Sequence, residues 1–419
     1  MKILIVGGGA AGMMAACTAA AAGAEVTLIE RNAFCGMKLN ITGKGRCNLT
    51  NDCSGDELLR NVLTNGRFLY SAFAAMPPQR LMEYFESLGV PLKTERGKRV
   101  FPVSDRARDI SGALRDRMHR LGVAVLQGKV TELLTADGAV SGVRLADGSV
   151  LSGDRVILAA GGQSYPRTGS DGNGYRLARA LGHTVTDLHP SLVPLLAAGE
   201  DPARLEGLAL KNVTLTVSKQ GKTLFSDFGE LVFTAKGISG PLVLSASAHL
   251  DRGKHTYPYQ AAIDLKPALA PEALDKRLLR DFGENQNRDF SNALSALLPA
   301  KLIPVMIRRS GIPPHQKVNS ITRAQRETLG ALIKAFPLEL TGAGGWDEAV
   351  VTAGGISVRE VDPKTMQSRL VPGLYLAGEI LDVDAYTGGF NLQIAWATGF
   401  VAGRAAAEGG KPDESCHCH

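Results

Sequence analysis

The chain has 419 residues, 44% of them hydrophobic and 48 of them glycine, with a formal net charge of +6. That length suits a sizeable core and two or three domains, the composition reads as a soluble, turn-rich α/β protein, and no apolar run is long enough to cross a bilayer. The six cysteines (Cys17, Cys35, Cys47, Cys53, Cys416, Cys418) are too sparse and irregular for a disulfide framework, the N-terminus lacks signal-peptide features so a cytoplasmic location is expected, and the charge permits a polyanionic partner without demanding one.

In chain order, the run Ile3-Leu4-Ile5-Val6 enters the turn Gly7-Gly8-Gly9-Ala10-Ala11-Gly12, and an alanine-rich segment follows. Gly7, Gly9 and Gly12 fit G-x-G-x-x-G, and the next apolar run ends on Glu30. Strand, glycine turn, helix, second strand and acid in this order predict a βαβ unit that grips a dinucleotide. Gly7 permits the tight turn, Gly9 lets backbone approach a pyrophosphate, and Gly12 lets helix pack on strand. The helix N-terminus offers free amides and the positive end of its dipole to the phosphates. Ala11 lies inside the turn, Glu30 can accept both ribose hydroxyls, and Arg31 follows it; all three are candidate cofactor contacts.

Residues 36–51 read as a polar, glycine-rich loop that carries Lys38, Leu39, Thr42, Lys44, Arg46 and Cys47. Residues 56–120 read as mostly helical, with Leu81, Tyr84, Phe85 and Leu88 at helical spacing. Residues 123–126 and 130–134 are predicted strands, with Val130 a candidate cofactor contact. A hairpin with an Asp147-Gly148 turn follows. Residues 155–160 form a predicted buried strand that delivers Ala160 and Gly161 to the cofactor. The glycines between Gly161 and Tyr175 suit a tight loop before a helix, and Asp171 and Tyr175 read equally as site residues or as parts of an ordinary turn.

After Pro190 the texture changes. Residues 191–265 hold short alternating runs that predict an antiparallel β-domain, and residues 271–332 read as helical with a charged face. The glycines at 342–345 are too closely spaced for a second dinucleotide turn and read as a flexible loop, so no dedicated nicotinamide domain is expected. Near Glu348 the first texture returns, with a strand ending in Gly378-Glu379 and a helix opened by Gly388-Gly389. The predicted fold is therefore α/β. A Rossmann-like domain is built from residues 1–190 and 346–409, an insert of antiparallel strands and helices spans 191–345, and residues 410–419 form an expected disordered tail.

The C-terminal segment selects the dinucleotide. In flavoproteins of the glutathione-reductase type, a late strand ends in Gly-Asp or Gly-Glu, whose acid holds the ribityl chain. The next helix aims its N-terminus at the flavin N1/O2 edge. Gly378-Glu379 followed by Gly389, Asn391 and Leu392 has that form, with the amides of Asn391 and Leu392 as the donors to a reduced, anionic ring. FAD is the expected cofactor, with NAD(P)H as a transient reductant.

Four segments, residues 7–12, 38–51, 161–182 and 378–399, resemble the HI0933-like flavoproteins, also called the aminoacetone-oxidase or BaiN-like family. The resemblance spans nearly the whole chain. Its most specific stretch is Lys38-Leu39-Asn40-Ile41-Thr42-Gly43-Lys44-Gly45-Arg46-Cys47-Asn48, where many relatives carry glycine at the position of Lys44. Residues 65–73 and 99–105 look like the Gram-positive branch, which includes enzymes that make dihydrouridine in large-subunit ribosomal RNA. Other relatives are linked to steroid enone reduction or amine oxidation. The resemblance implies FAD, a two-part FAD domain and an inserted barrel-like domain.

On this reading the 38–51 loop lies over the isoalloxazine. Lys38 and Arg46 are cations for flavin oxygens or substrate anions, with solvent exposure as the alternative for Lys44 and Arg46. Cys47, as a partly exposed thiol, is the candidate proton donor in a C=C reduction; Arg46 beside it would favour thiolate and weaken that role, and simple packing is the alternative. Two basic clusters, one from Lys93 to Arg108 and one of Arg308, Arg309, Lys317 and Arg323, suit a ribosomal RNA substrate, although Glu95, Asp105 and Asp109 dilute the first toward an ordinary solvated surface. The histidines outside the tail form no metal or nucleophile pattern, and Cys416-His417-Cys418-His419 is too tightly spaced for a closed site. The leading function is FAD-dependent reduction of uridine in large-subunit ribosomal RNA. A small-molecule enone reductase or amine oxidase, and a non-catalytic flavin-stabilised RNA-binding factor, remain as alternatives.

Overall fold

The strand Lys2–Val6 is the middle of a five-stranded sheet in a computed structural model that describes residues 1–250 and 257–409. Ile3, Leu4 and Ile5 are all fully buried, and because successive strand residues face opposite ways, both faces of this strand are covered. Its neighbours in space are Leu374–Leu376, Arg155–Leu158, then Lys2–Val6 itself, Glu25–Glu30 and Ala124–Gln127, with every pair parallel. A strand from the last fifty residues thus completes a sheet begun by the first.

The described residues divide into two units, 1–190 with 346–409, and 191–345. In the first unit the helix Ala10–Ala21 follows the glycine turn, and the last helix, Phe390–Glu408, packs on it. Glycine makes that contact possible. A β-carbon on Gly399 would lie 2.4 Å from the Ala11 carbonyl oxygen, and one on Gly403 2.4 Å from that of Ala15. A second, antiparallel sheet of Val130–Ala136, Ala139–Leu145 and Val150–Ser152 contains the hairpin read at Asp147-Gly148.

Two expectations for this unit need correction. Residues 37–45 are helical rather than a loop, but the helix breaks inside: Thr42 is extended, and Gly43 and Lys44 are left-handed. Residues 56–120 are not continuously helical. Leu92–Glu95 and Arg99–Pro102 form an antiparallel hairpin, which the short strand Thr50–Asn51 joins. These strands are short and rich in charge, so period alone did not mark them.

The second unit is a closed barrel in the order Leu195–Ala197, Gly237–Ser239, Lys222–Thr234, Ala209–Lys219, Tyr259–Asp264, Phe336–Ala343. Leu215, Val217, Phe233, Ile263, Phe336 and Leu340 belong to its buried core. The helical stretch read at 271–332 holds four α-helical segments, Pro271–Glu284, Phe290–Ala293, Ile303–Ser310 and Arg323–Lys334, with short 3-10 turns at Leu294–Ala296 and Val318–Ser320; Gly311 at φ +68° ends the third, and a Thr322–Gln325 capping box starts the fourth. Gly342 and Ala343, read as part of a flexible loop, pair with Leu196 and Leu195 as the end of a barrel strand. His255 and the Cys416–His419 tail lie outside the described residues. No described helix is long and apolar enough to cross a membrane.

Candidate active site

The glycine turn is assembled from contacts that admit no side chain at two of its three motif positions. Gly7 has φ +104°, and a β-carbon on Gly12 would fall 1.8 Å from the Gly7 carbonyl oxygen. Gly9 differs: a β-carbon there meets nothing within 4 Å. Gly7 and Gly12 therefore serve packing, and Gly9 faces open space at the helix N-terminus. The first helical bond in this turn is Met13 N–H to the Gly9 carbonyl, at 2.9 Å, so the amides of Ala11 and Gly12 precede it. Glu30 is buried and accepts from the Gly8 amide at 2.7 Å and the Asn32 amide at 2.8 Å, which orients its carboxylate and leaves lone pairs for further donors. Arg31 is turned to Asp171, 2.5 Å away, and ties the strand end to the 161–175 loop.

That loop starts with Ala160 and with Gly161 at φ +72°. It is held at its far end by Asn173, whose side-chain amide donates to the Val130 carbonyl at 2.9 Å. The C-terminal segment meets it here. Gly378 has φ +81°, its amide donates to Thr398 Oγ1 at 2.9 Å, and a β-carbon on it would lie 2.8 Å from that of Ala11. The two ends of the chain are thus in contact at the glycine turn.

Glu379 is the hub of a polar cluster. Lys38 Nζ lies 2.7 Å from Glu379 Oε2 and donates to Ser164 Oγ at 2.7 Å; Ser164 Oγ and the Thr352 amide donate to Glu379 Oε1 at 2.7 and 2.9 Å. Burial pushes the Glu379 carboxyl up, but the Lys38 charge and the donated hydrogen bonds outweigh it and hold the pKa below the ordinary value. Buried Tyr175 donates to the Glu379 carbonyl at 3.3 Å.

The last helix opens at Gly389, φ +98°, where a β-carbon would lie 2.4 Å from the Thr50 backbone. With its amide oriented by its neighbours, Asn48 accepts from Gly389 N–H at 3.0 Å and donates to the Thr50 carbonyl at 3.1 Å. The Asn391 side chain bonds both backbone groups of Ala385, at 2.8 and 3.0 Å, and fixes the approach to the helix. The first helical bond runs from Gln393 N–H to Gly389, so the amides of Asn391 and Leu392 precede it. Leu39 is buried, and Thr42 donates to its carbonyl at 2.7 Å.

Arg46 and Cys47 do not occupy the roles expected of them. The Arg46 guanidinium is engaged by Asp105 at 2.6 and 2.9 Å and by Glu95 at 2.5 Å, and lies 4.1 Å above the Phe101 ring. Its charge is taken up by the hairpin Leu92–Pro102 and by Asp105 just after it. Cys47, expected to be partly exposed, is fully enclosed: its backbone is left-handed at φ +60°, and burial pushes its thiol up to about 12, against a weaker opposing hydrogen bond with Thr42. A thiol so enclosed is a poor general acid. The other described cysteines are also free and buried.

The residues present fit FAD. Gly9 leaves the room a pyrophosphate needs, unspent amides flank it, Glu30 presents an oriented carboxylate, and a second helix N-terminus sits beside the Lys38–Glu379 cluster's segment. Ser164, Thr352 and Asn48 were not singled out from sequence. A signal exists for Thr352: a β-carbon on Gly162 would lie 2.3 Å from Thr352 Oγ1 and 2.8 Å from Glu379 Oε1, so the Gly161-Gly162 pair marks where the Thr352 strand passes.

Comparison with known proteins agrees with this architecture. Residues 1–405 match the family described as HI0933-like protein Rossmann domain. The chain is 36% identical over 395 residues to a 3-dehydro-bile acid delta(4,6)-reductase of Clostridium scindens, covering 92% of this chain and 93% of that one. It is 28% identical over 404 residues to the ribosomal RNA dihydrouridine synthase of Escherichia coli, covering 95% and 96%. Among solved structures, a 3-ketosteroid delta1-dehydrogenase from Sterolibacterium denitrificans superposes with a TM-score of 0.55 at 13% identity, covering 97% of this chain and 99% of that one, a likeness of fold.

Proposed function

This chain belongs to the HI0933-like family of FAD-dependent oxidoreductases, and from that premise we propose that it reduces the 5,6 double bond of a uridine in large-subunit ribosomal RNA. The observation that carries the reading is chemical. A delta(4,6)-reductase and a dihydrouridine synthase, each matching this chain over nine-tenths of its length, both add two hydrogens across a carbon–carbon double bond. In uracil that bond is conjugated to a carbonyl, so C6 is electron-poor and accepts hydride.

FAD held in this site would, once reduced by NAD(P)H, supply that hydride. Glu30 and the Gly9 turn would hold the dinucleotide end. Glu379, fixed by Lys38, would meet the ribityl chain, and the amides of Asn391 and Leu392 would stabilise negative charge at the pyrimidine edge of the ring. Hydride at C6 leaves an enolate whose C5 takes one proton, and an enolate is basic enough to take it from water, so the reaction needs no acid from enclosed Cys47.

The test is mass spectrometry of ribosomal RNA from cells with and without the gene. One uridine should lose a two-hydrogen mass increment on deletion and regain it on complementation. A second reading, reduction of a steroid-like enone, is favoured by the 36% identity to the bile-acid reductase. Unaltered ribosomal RNA, together with enone-dependent reoxidation of the reduced enzyme, would replace the first reading with the second.

A further inference from the structure

The two basic clusters visible in the sequence are electrostatically different. Every member of the one in residues 308–323 has an acid partner: Arg308 and Arg309 share Asp201, Lys317 meets Asp289 at 2.8 Å, and Arg323 meets Glu327 at 2.7 Å. Such a cluster has little charge left to offer.

The cluster around Phe101 is only partly compensated. Arg46 and Lys93 are held by Glu95 and Asp105, and Lys98 by Glu57. Lys44, Arg96, Arg99 and Arg106 have no acid partner among the described residues. Arg99 and the turn that carries Lys44 lie near one ring. Arg99 lies 5.9 Å from the Phe101 centroid, and its guanidinium donates to the Arg96 carbonyl at 3.1 Å. A β-carbon on Gly43, next to Lys44, would lie 3.6 Å from Phe101, and Arg106 follows the Asp105 that holds Arg46. Lys44, Arg96 and Arg106 are exposed.

Lys44 adds a second observation. It is left-handed at φ +60°, between Gly43 at +57° and Gly45 at +85°. A side chain is disfavoured in that conformation and glycine is not. The chain nevertheless places a lysine there, exposed and with no acid partner among the described residues, on the segment that continues to Asn48, which contacts the last helix's N-terminus. A charge useful only to something outside the fold accounts for that choice.

We infer that Lys44, Arg96, Arg99 and Arg106 form a phosphate-tracking rim that seats the backbone of an RNA strand beside the active site, an inference that rests on the RNA reading above. Glu95 and Asp105, held by Arg46 and Lys93, immediately precede Arg96 and Arg106 in the chain, so acids are interspersed among the cations. Interspersed cations suit the discrete phosphates of a strand, whereas the acids among them are repelled by a continuous anionic surface such as a bilayer.

The test is the salt dependence of binding to a fluorescein-labelled, uridine-containing single-stranded RNA of about 20 nucleotides. Each of Lys44→Gly, Arg96→Gln and Arg106→Gln should lower the slope of log K against log salt by about 0.7, with FAD content as in the parent and a melting temperature no lower than the parent's. Lys44→Gly relieves the backbone, so misfolding does not explain its loss. Arg323→Gln, in the compensated cluster, should leave the slope unchanged. Parent-like slopes in all three rim variants, with the parent binding RNA, would overturn the rim and leave the RNA reading standing. A parent that shows no salt-dependent RNA binding would overturn both, as would preference for phosphatidylglycerol vesicles over the RNA.

Discussion

Lys38 and Glu379 are 341 positions apart in the chain and 2.7 Å apart in the fold. Their side chains are each about one-fifth exposed, so this is a partly buried pair whose members do not tolerate separation equally. Lys38→Met leaves the Glu379 carboxylate with only Ser164 and the Thr352 amide. Glu379→Gln leaves Lys38 Nζ on Ser164, with a flexible stem that can reach water. We expect Lys38→Met to destabilise by about 2 kcal/mol, below the range for fully buried pairs, and Glu379→Gln by about 1 kcal/mol. The carboxyl is held below its ordinary 4.5, so its contribution is complete above that pH and is lost as pH falls through the lowered value. Thermal melts from pH 7 to 3 should show that acid loss in the parent and a weaker one in Glu379→Gln.

The glycine turn separates folding from cofactor binding. Gly12→Ala drives a β-carbon into the Gly7 carbonyl and should cost about 3 kcal/mol or more, seen as aggregation or a lowered melting point. Gly9 has an extended backbone, φ −79° and ψ −168°, that alanine adopts freely, and its β-carbon meets nothing. Gly9→Ala should therefore fold with the parent's apoprotein melting point and lose FAD. Equal FAD content in Gly9→Ala and the parent would remove Gly9 from the pyrophosphate site.

Enclosure decides what Cys47 contributes. With the thiol pushed up to about 12 and no exposed surface, it packs rather than reacts. Cys47→Ala should destabilise by about 1 kcal/mol through lost contacts and keep the parent's rate of flavin reoxidation by substrate, measured by stopped flow on FAD-replete enzyme. A fall of a hundredfold or more in that rate at full FAD content would return Cys47 to the chemistry.

These residues also mark how far the sequence could be read. The Gly7–Gly12 turn and Glu30 were legible because their physics is local: a turn, a helix start and a strand end within thirty positions. Gly378-Glu379 and Gly389 were legible as pieces for the same reason. The Lys38–Glu379 pair was not, since nothing local says which distant cation an acid will meet. The pairing of Arg46 was not legible because its partners Glu95 and Asp105 lie within and just after a hairpin whose charged strands carry no clear alternation. Cys47 was misread because a left-handed residue after a broken helix turns its side chain inward, and a lone cysteine in a polar run gives no hint of that backbone.

No role for His183 is legible from its neighbours in the chain, yet its fully buried ring bridges Glu360 and Ser368. Nδ1 lies 3.1 Å from Glu360 Oε2, and Nε2 lies 2.9 Å from Ser368 Oγ. Ser368 Oγ already accepts from the Leu370 and Val371 amides, so its own proton is the one left for Nε2. The ring is therefore neutral, with its proton on Nδ1 facing Glu360. Protonating Nε2 would set a donor against a donor in a buried site. Burial lowers the pKa from the ordinary 6.5, and Glu360 opposes this only in part. A depressed value means the stabilising contribution is whole above 6.5 and is lost as pH falls through the folded-state value. The melting temperature should therefore start to drop just below pH 6.5, before the carboxylates with ordinary values near 4.5 titrate. His183→Asn, which keeps a donor for Glu360 without a titrating ring, should melt lower at pH 8 and show a flat profile from pH 7 to 5. A parent profile that is itself flat across that window would show that this ring does not report acid.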